Sequence, residues 1–384
     1  MNFDEYINKM QNVQNILLQF IEGEDDKDDK FQELIQLLDD SKIRENCYEF
    51  RSFLHLLIKV SKNHHRHPGF FKDFERIINF LKDDIQKQFS NNEIFTIFKG
   101  NLKILLFLIQ SQIVTPNRYI SLNTNANYFY PEVKDFIQQI PEKFEGKKII
   151  DEIPEKFEEN RQKGENESHI CELIRNNSIT EFVTYTNQIN FNLSLPIEKS
   201  LFETNSFLKD KEVSLIEYAA FYGSINIFQY LKMKGAKLTP SLWLYAIHSN
   251  NPEMIHLLES LEIEPEDKSY QECFIESIKC HHNRIATYIQ NSHLQNEKEN
   301  SKEVAIQCLK YYNFQFLQND QIDKSLLFKL IQYDYCQIVD VLLREKDIDV
   351  NEFFVTKEEI KNFILIMKKF QIIHFNQILK NIIF

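Results

Sequence analysis

Two segments 27 residues apart constrain this chain most. Ser214-Leu-Ile-Glu-Tyr-Ala-Ala-Phe-Tyr-Gly-Ser-Ile-Asn-Ile-Phe-Gln-Tyr-Leu231 lies over Ser241-Leu-Trp-Leu-Tyr-Ala-Ile-His-Ser-Asn-Asn-Pro-Glu-Met-Ile-His-Leu-Leu258. Tyr218-Ala219 matches Tyr245-Ala246, Gly223 falls on Asn250, Ile227-Phe228 on Met254-Ile255 and Leu231 on Leu258. Glycine is scarce, 7 in 384 residues, so Gly223 and Gly235 in one short unit mark places where the backbone needs φ > 0. Each copy reads as helix, reversal, helix. A Ser starts the first helix as an N-cap. Ala219 or Ala246 lets a second helix come close. Gly223 or Asn250 tolerates the left-handed conformation that ends the first helix, and Gly235 ends the second. A single hairpin of this kind cannot bury its apolar face, whereas stacked hairpins can, so the period predicts an all-α solenoid.

A fainter copy shifted by 31 residues puts Ser277-Ile278 at the Ala place and Ile285 and Ile289 on the second-helix pattern. Ile174 to Tyr185 reads as a unit before the clear pair. Val304 to Leu317, Ser325 to Leu343 and Glu359 to Leu379 read as degraded units after it. Upstream, apolar periodicity predicts helices over Phe3–Ile21, Phe31–Leu38, Ile43–Val60, Phe70–Phe89 and Asn92–Ser111. The charged run Glu24–Lys30 lacks the glycine and closing glutamate of a calcium loop and reads as a solvated linker. Pro116–Pro131 reads as a loop, and the charged run Glu158–Glu167 as a linker or poorly packed helix. The expected division is therefore 1–165, a helical N-terminal region, and 166–384, a repeat domain. A cryptic unit at 91–113 overlays Gly100 on Gly223, Ile104 on Ile227 and Leu108 on Leu231.

Composition excludes several classes. Low Gly and Pro counts, 7 and 9, disfavour a turn-rich β protein, and 33 Phe imply large aromatic cores. A net charge of −12 without a basic stripe disfavours nucleic acid. The strongest apolar run, Ile104–Ile109, is too short to cross a bilayer. No secretory signal is visible at the start, and the six scattered cysteines form no CxxC pair. Reduced thiols in a cytoplasmic protein, away from the membrane, are expected.

The unit closing at Gly235-Ala236 resembles an ankyrin repeat: Leu215-Ile-Glu-Tyr-Ala219-Ala220-Phe-Tyr-Gly223 falls on the family pattern without a gap. The wording of residues 215–259 is further similar to a large group of divergent protist ankyrin-repeat proteins whose shared region has no assigned function. Ser214-Leu215 replaces the family Thr-Pro, and Glu217 and Leu244 replace the family His. The resemblance implies a concave face lined by the two residues before each reversal. These are Phe221 and Tyr222, then His248 and Ser249, the candidate partner-binding positions; the same aromatic rings could instead pack on a neighbouring repeat. It also implies a non-enzymatic scaffold or adaptor for a protein partner, with no catalytic residue and no cofactor.

Two other readings stand beside that one. The chain could recruit substrate to a separate enzyme. It could also hold a metal through His64, His65 and His67, although no Cys or acidic ligand is suitably spaced from them and the segment equally reads as a cationic helix end. Cys280-His281-His282, at a repeat turn, is a weaker candidate still. No phosphate-cradling glycine loop, GxSxG or HExxH pattern occurs.

Overall fold

In a computed structural model of the chain, the periodic half becomes a succession of short helix hairpins. The structure describes residues 3–339 apart from 24, 66, 68, 140, 144–148, 151, 210, 267, 295–300, 318–325 and 336. Among these residues the regular structure is helical, with a single isolated bridge joining Pro196 and Ser214. Contacts divide the chain into two units, residues 60–295 and residues 1–59 with 296–384.

The 60–295 unit holds the clear repeats. Its hairpins pair His169–Arg175 with Ile179–Gln188, Leu215–Tyr222 with Ile225–Met233, Leu242–His248 with Pro252–Ser260, and Gln271–Cys280 with Asn283–His293. The first helices of these pairs pack on one another in chain order. Each reversal places one residue at positive φ: Asn177 at 50°, Gly223 at 65°, Asn250 at 50° and His281 at 59°. After three of them the next amide reaches back across the turn. Ser178 N–H donates to the Leu173 carbonyl at 3.0 Å, Ser224 to Ala219 at 2.8 Å and His282 to Ser277 at 3.1 Å. These bonds satisfy carbonyls that a helix C-terminus would otherwise leave open. Second helices end in the same way, with Asn190, Gly235 and Glu262 at positive φ and the Ala236 amide donating to Leu231 at 3.0 Å.

Polar residues just past each reversal join successive hairpins. The Ser224 hydroxyl donates to the Ile174 carbonyl, and His282 Nδ1 lies 2.8 Å from the Ile247 carbonyl. Both acceptors sit three residues before the preceding reversal. Glu217 links hairpins in a related way. It forms a capping box with Ser214, and its other oxygen accepts from the Ser241 hydroxyl at 2.8 Å. One carboxylate thus caps its own helix and ties it to the start of the next hairpin.

Several expectations are corrected. Asn92–Ser111 is not one helix but a hairpin, Asn91–Phe98 and Leu102–Gln110, with Ser90 and Glu93 forming a capping box and Asn101 capping the second helix through Ile104 N–H at 3.2 Å. Gly100 differs from Gly223 in that it does not take positive φ. Pro116–Pro131 carries a short helix, Arg118–Asn123, started by the Asn117 side chain. The run after Glu158 starts in the short helix Phe157–Lys163, as the helix alternative expected; its buried residues are Phe157 and Arg161, and Arg161 pairs with Glu132 at 2.7 Å and Glu158 at 2.6 Å. Lys27 already begins a helix within the supposed linker. Residue 165 is not a boundary, because Lys103 Nζ donates to the Lys163 carbonyl at 3.1 Å and Thr204 N–H to Gly164 at 3.1 Å inside one unit.

The other unit contains Phe3–Glu22, Lys27–Asp40, Ser301–Tyr311 and Leu327–Gln332. Tyr312 takes φ 57°, and the Asn313 amide donates to Cys308 at 3.0 Å, so the same turn recurs there. A buried amide pair fastens it, with Gln14 Nε2 donating to Asn313 Oδ1 at 2.7 Å. The predicted unit Glu359–Leu379, and part of Ser325–Leu343, lie outside the described residues.

Ala219 is fully buried on a helix packed against three others. Ala219→Leu should overpack that contact and cost about 1–3 kcal/mol in urea unfolding; an unchanged midpoint would place Ala219 away from any close helix approach.

Candidate functional site

Phe221 and Tyr222 stand at the end of the Leu215–Tyr222 helix, and other parts of the same unit cover them. The His65 ring stacks on Phe221 with centroids 4.3 Å apart and planes 6° apart, and meets Tyr222 edge-on at 5.1 Å. Phe207 lies 5.9 Å from Phe221 and 4.0 Å from the His248 ring. Ser249 turns inward, its hydroxyl donating to the Ala246 carbonyl at 2.6 Å. None of the four predicted contact residues is more than 8% exposed. The expectation of an open face at Phe221, Tyr222, His248 and Ser249 is therefore corrected. The loop after Val60 and the segment around Phe207 fill the space in front of these turns.

The histidine cluster diverges rather than converging on a point. His64 Nδ1 lies 2.9 Å from the Val60 carbonyl and its ring meets His282 edge-on at 5.2 Å. His65 turns to Phe221, and His67 lines a cavity. His282, from the weaker candidate group, is enclosed between the Ile247 carbonyl at 2.8 Å and the Asn63 carbonyl at 3.1 Å. Burial, reinforced by His64, His248 and His65 nearby, holds its imidazole well below the usual histidine range, with the Ile247 carbonyl opposing.

Among the described residues, His248, Glu276 and Cys280 form a group with metal-ligand chemistry. Cys280 Sγ lies 3.6 Å from His248 Nδ1, while His248 Nε2 and Glu276 Oε1 are 2.7 Å apart. The sulfur spacing suits two ligands of one zinc ion. The 2.7 Å pair is a hydrogen bond, shorter than the roughly 3.3 Å that two ligands near 2.0–2.2 Å from zinc would keep. Lys279 also donates to the same oxygen at 2.7 Å. Burial keeps His248 below its usual range against the pull of Glu276, and the hydrogen bond from His248 and the Lys279 charge keep Glu276 ionised despite its own burial. The order thiol, imidazole, carboxylate is also that of an activated nucleophile. Cys280, however, is fully enclosed, and burial pushes its thiol well up.

A cavity of about 420 Å³ opens beside this cluster, with Tyr222 and His65 in its wall. Its lysines are Lys62, Lys72, Lys103 and Lys163, and its carboxylates Glu165 and Glu203. Glu165 pairs with Arg175 at 3.1 Å and Lys163 with Glu159 at 2.8 Å. Lys103 lies over the Phe71 ring at 4.2 Å. Burial lowers the Lys103 ammonium, with Glu165 and Glu75 opposing, and burial with Lys279 lowers Lys62. Glu203 is 5% exposed; its Oε1 accepts from the Asn205 amide at 2.8 Å, and its Oε2 has no hydrogen-bond partner. Burial pushes the Glu203 carboxyl up to about 7, with Glu165 adding to the rise and the Asn205 and Asn166 amides and Arg175 opposing it.

Sequence reasoning missed this cavity, because its charged groups come from segments far apart in the chain. One signal was available: Gly69, Gly100 and Gly164, three of the chain's 7 glycines, line it. No family model, curated protein or solved structure matches the chain.

The raised Glu203 carboxyl makes folding pH-dependent. Between about pH 4.5 and 7 the folded state keeps a proton that the unfolded chain has released, so this group's contribution falls as pH rises through that window. Glu203→Gln stays neutral throughout. Its urea midpoint should gain on the wild type from pH 5 to pH 8, and parallel midpoints would mean that Glu203 titrates normally.

Proposed function

We propose that the chain is a non-enzymatic binding protein, an ankyrin-like solenoid of helix hairpins acting as a scaffold or adaptor for a protein partner. The supporting observation is the series of first helices packed in chain order, each ended by a positive-φ reversal at the repeat position. Repeats of this kind build extended surfaces from neighbouring units and place recognition on side chains that the packing leaves free. Because Phe221, Tyr222, His248 and Ser249 are enclosed, partner contact falls elsewhere on the hairpins. Met233 at 78% exposure and Ile189 at 51% stand at the ends of two second helices that pack on each other, and large apolar side chains left in water suit an interface. Among the described residues Cys47, Cys171, Cys273, Cys280 and Cys308 form no disulfide, and a cytoplasmic setting is proposed with the rest of this reading.

Proximity labelling with the full chain in its native cell, followed by binding of the recovered proteins to the purified chain, tests this reading. A direct protein partner should bind, and Met233→Asp with Ile189→Asp should weaken it about tenfold or more without moving the unfolding midpoint. Binding unchanged by the pair would remove these positions from the interface, and recovery of no directly binding protein would overturn the scaffold reading.

A further inference from the structure

We infer that the cavity lined by Lys62, Lys72, Lys103 and Glu203 binds a small hydroxyl-bearing phosphate monoester. The chain carries a net charge of −12, yet this cavity gathers lysines whose nearest carboxylates, Glu75 and Glu165, act on them without forming an ion pair. Lys62 and Lys72 make no ion pair or side-chain hydrogen bond among the described residues, and Lys103 donates only to a backbone carbonyl. The carboxylate most able to offset them, Glu165, is engaged by Arg175 at 3.1 Å.

Backbone charge adds to the side chains. The long helix Phe70–Gln88 starts in the cavity wall at Gly69, which has no side chain to cap it. Its first amides have no intrahelical acceptor, and its dipole puts positive potential there. Leu102–Gln110 also begins in the wall, at Asn101 and Lys103, with its Ile104 amide already taken by the Asn101 side chain. Three ammonium groups beside the uncapped start of Phe70–Gln88 call for a dianion rather than a single carboxylate.

Glu203 specifies the rest of the ligand. Glu203 is part of the cavity wall, and its buried Oε2 has no hydrogen-bond partner, which is costly for a carboxyl oxygen. A ligand hydroxyl satisfies it in either protonation state, as donor to the carboxylate or acceptor from the acid. A volume of about 420 Å³ accommodates a phosphate with a sugar-sized body. Glycine keeps the lysines in place. A Cβ at Gly100 would lie 2.8 Å from Lys62 Nζ, and one at Gly164 would lie 3.1 Å from Lys103 Cδ.

Calorimetric titration of the full chain with ribose 5-phosphate, adenosine 5′-monophosphate, inorganic phosphate and ribose tests the inference. Ribose 5-phosphate should bind about tenfold tighter than inorganic phosphate, and ribose should not bind. Affinity gained with the adenine base identifies a nucleotide site, and affinity lost identifies a sugar-phosphate site. Lys62→Met and Gly100→Ala should each weaken ribose 5-phosphate about tenfold or more, while exposed Lys234→Met should not. Should Lys62→Met fail to fold, exposed Lys72→Met is to show the same loss. The inference is overturned by no binding at millimolar ligand, by equal affinity for inorganic and sugar phosphate, or by Gly100→Ala and Lys72→Met binding as the wild type does.

Discussion

Everything in the repeat region depends on closing the C-terminus of a short helix. A helix of seven to ten residues leaves much of its carbonyl complement without an internal partner. Burying such an end in a stack is tolerable only if those carbonyls are met. The positive-φ residue meets the need by swinging the next amide back over the last turn, as Ser224 does toward Ala219 at 2.8 Å. The reversal also frees the following side chain to point at the previous hairpin, where Ser224 and His282 reach the carbonyls of Ile174 and Ile247. Helix termination and the joining of successive hairpins are therefore one device.

That device was legible only where the residue type advertised it. Gly223, Gly235 and Asn250 could be read directly, since few other residues take positive φ at small cost, and all three do so. His281 takes the same conformation at 59°, but nothing in a histidine announces it, so only the 31-residue shift found it. Tyr312 and Asp334, at 57° and 70°, were hidden for the same reason. The Asn92–Ser111 run shows the converse. Its apolar residues continue the helical period across Gly100, so periodicity alone reads one helix, whereas the overlay of Gly100 on Gly223 puts a reversal where Asn101 caps a new helix.

The site was less legible than the fold, for a geometric reason. Periodicity reports which face of a helix is apolar, but not which distant segment will cover it. Phe221, Tyr222 and His248 stand just before the reversals, and His65 and Phe207 pack against them. Their surroundings turned an expected surface into an interior. Two of the histidines suspected of metal chemistry, His64 and His65, and the aromatic pair suspected of partner contact belong to one packed cluster.

The enclosure has a consequence for the charges beside it. Capping the turns with the loop after Val60 brings Lys62 against Gly100, and the segment through Phe207 brings Glu203 and Thr204 against Gly164. A chain that spends so few glycines places Gly100 and Gly164 where any side chain would press on a lysine or its neighbour. Gly100 does not need positive φ, so backbone conformation does not explain it. Room for Lys62 does. Holding ammonium groups partly out of water costs free energy unless something negative meets them, and their own protein supplies little that is not already engaged. The same packing that removes the turns from the surface thus creates a positive recess in an acidic protein, one whose electrostatics are completed by an anion from outside.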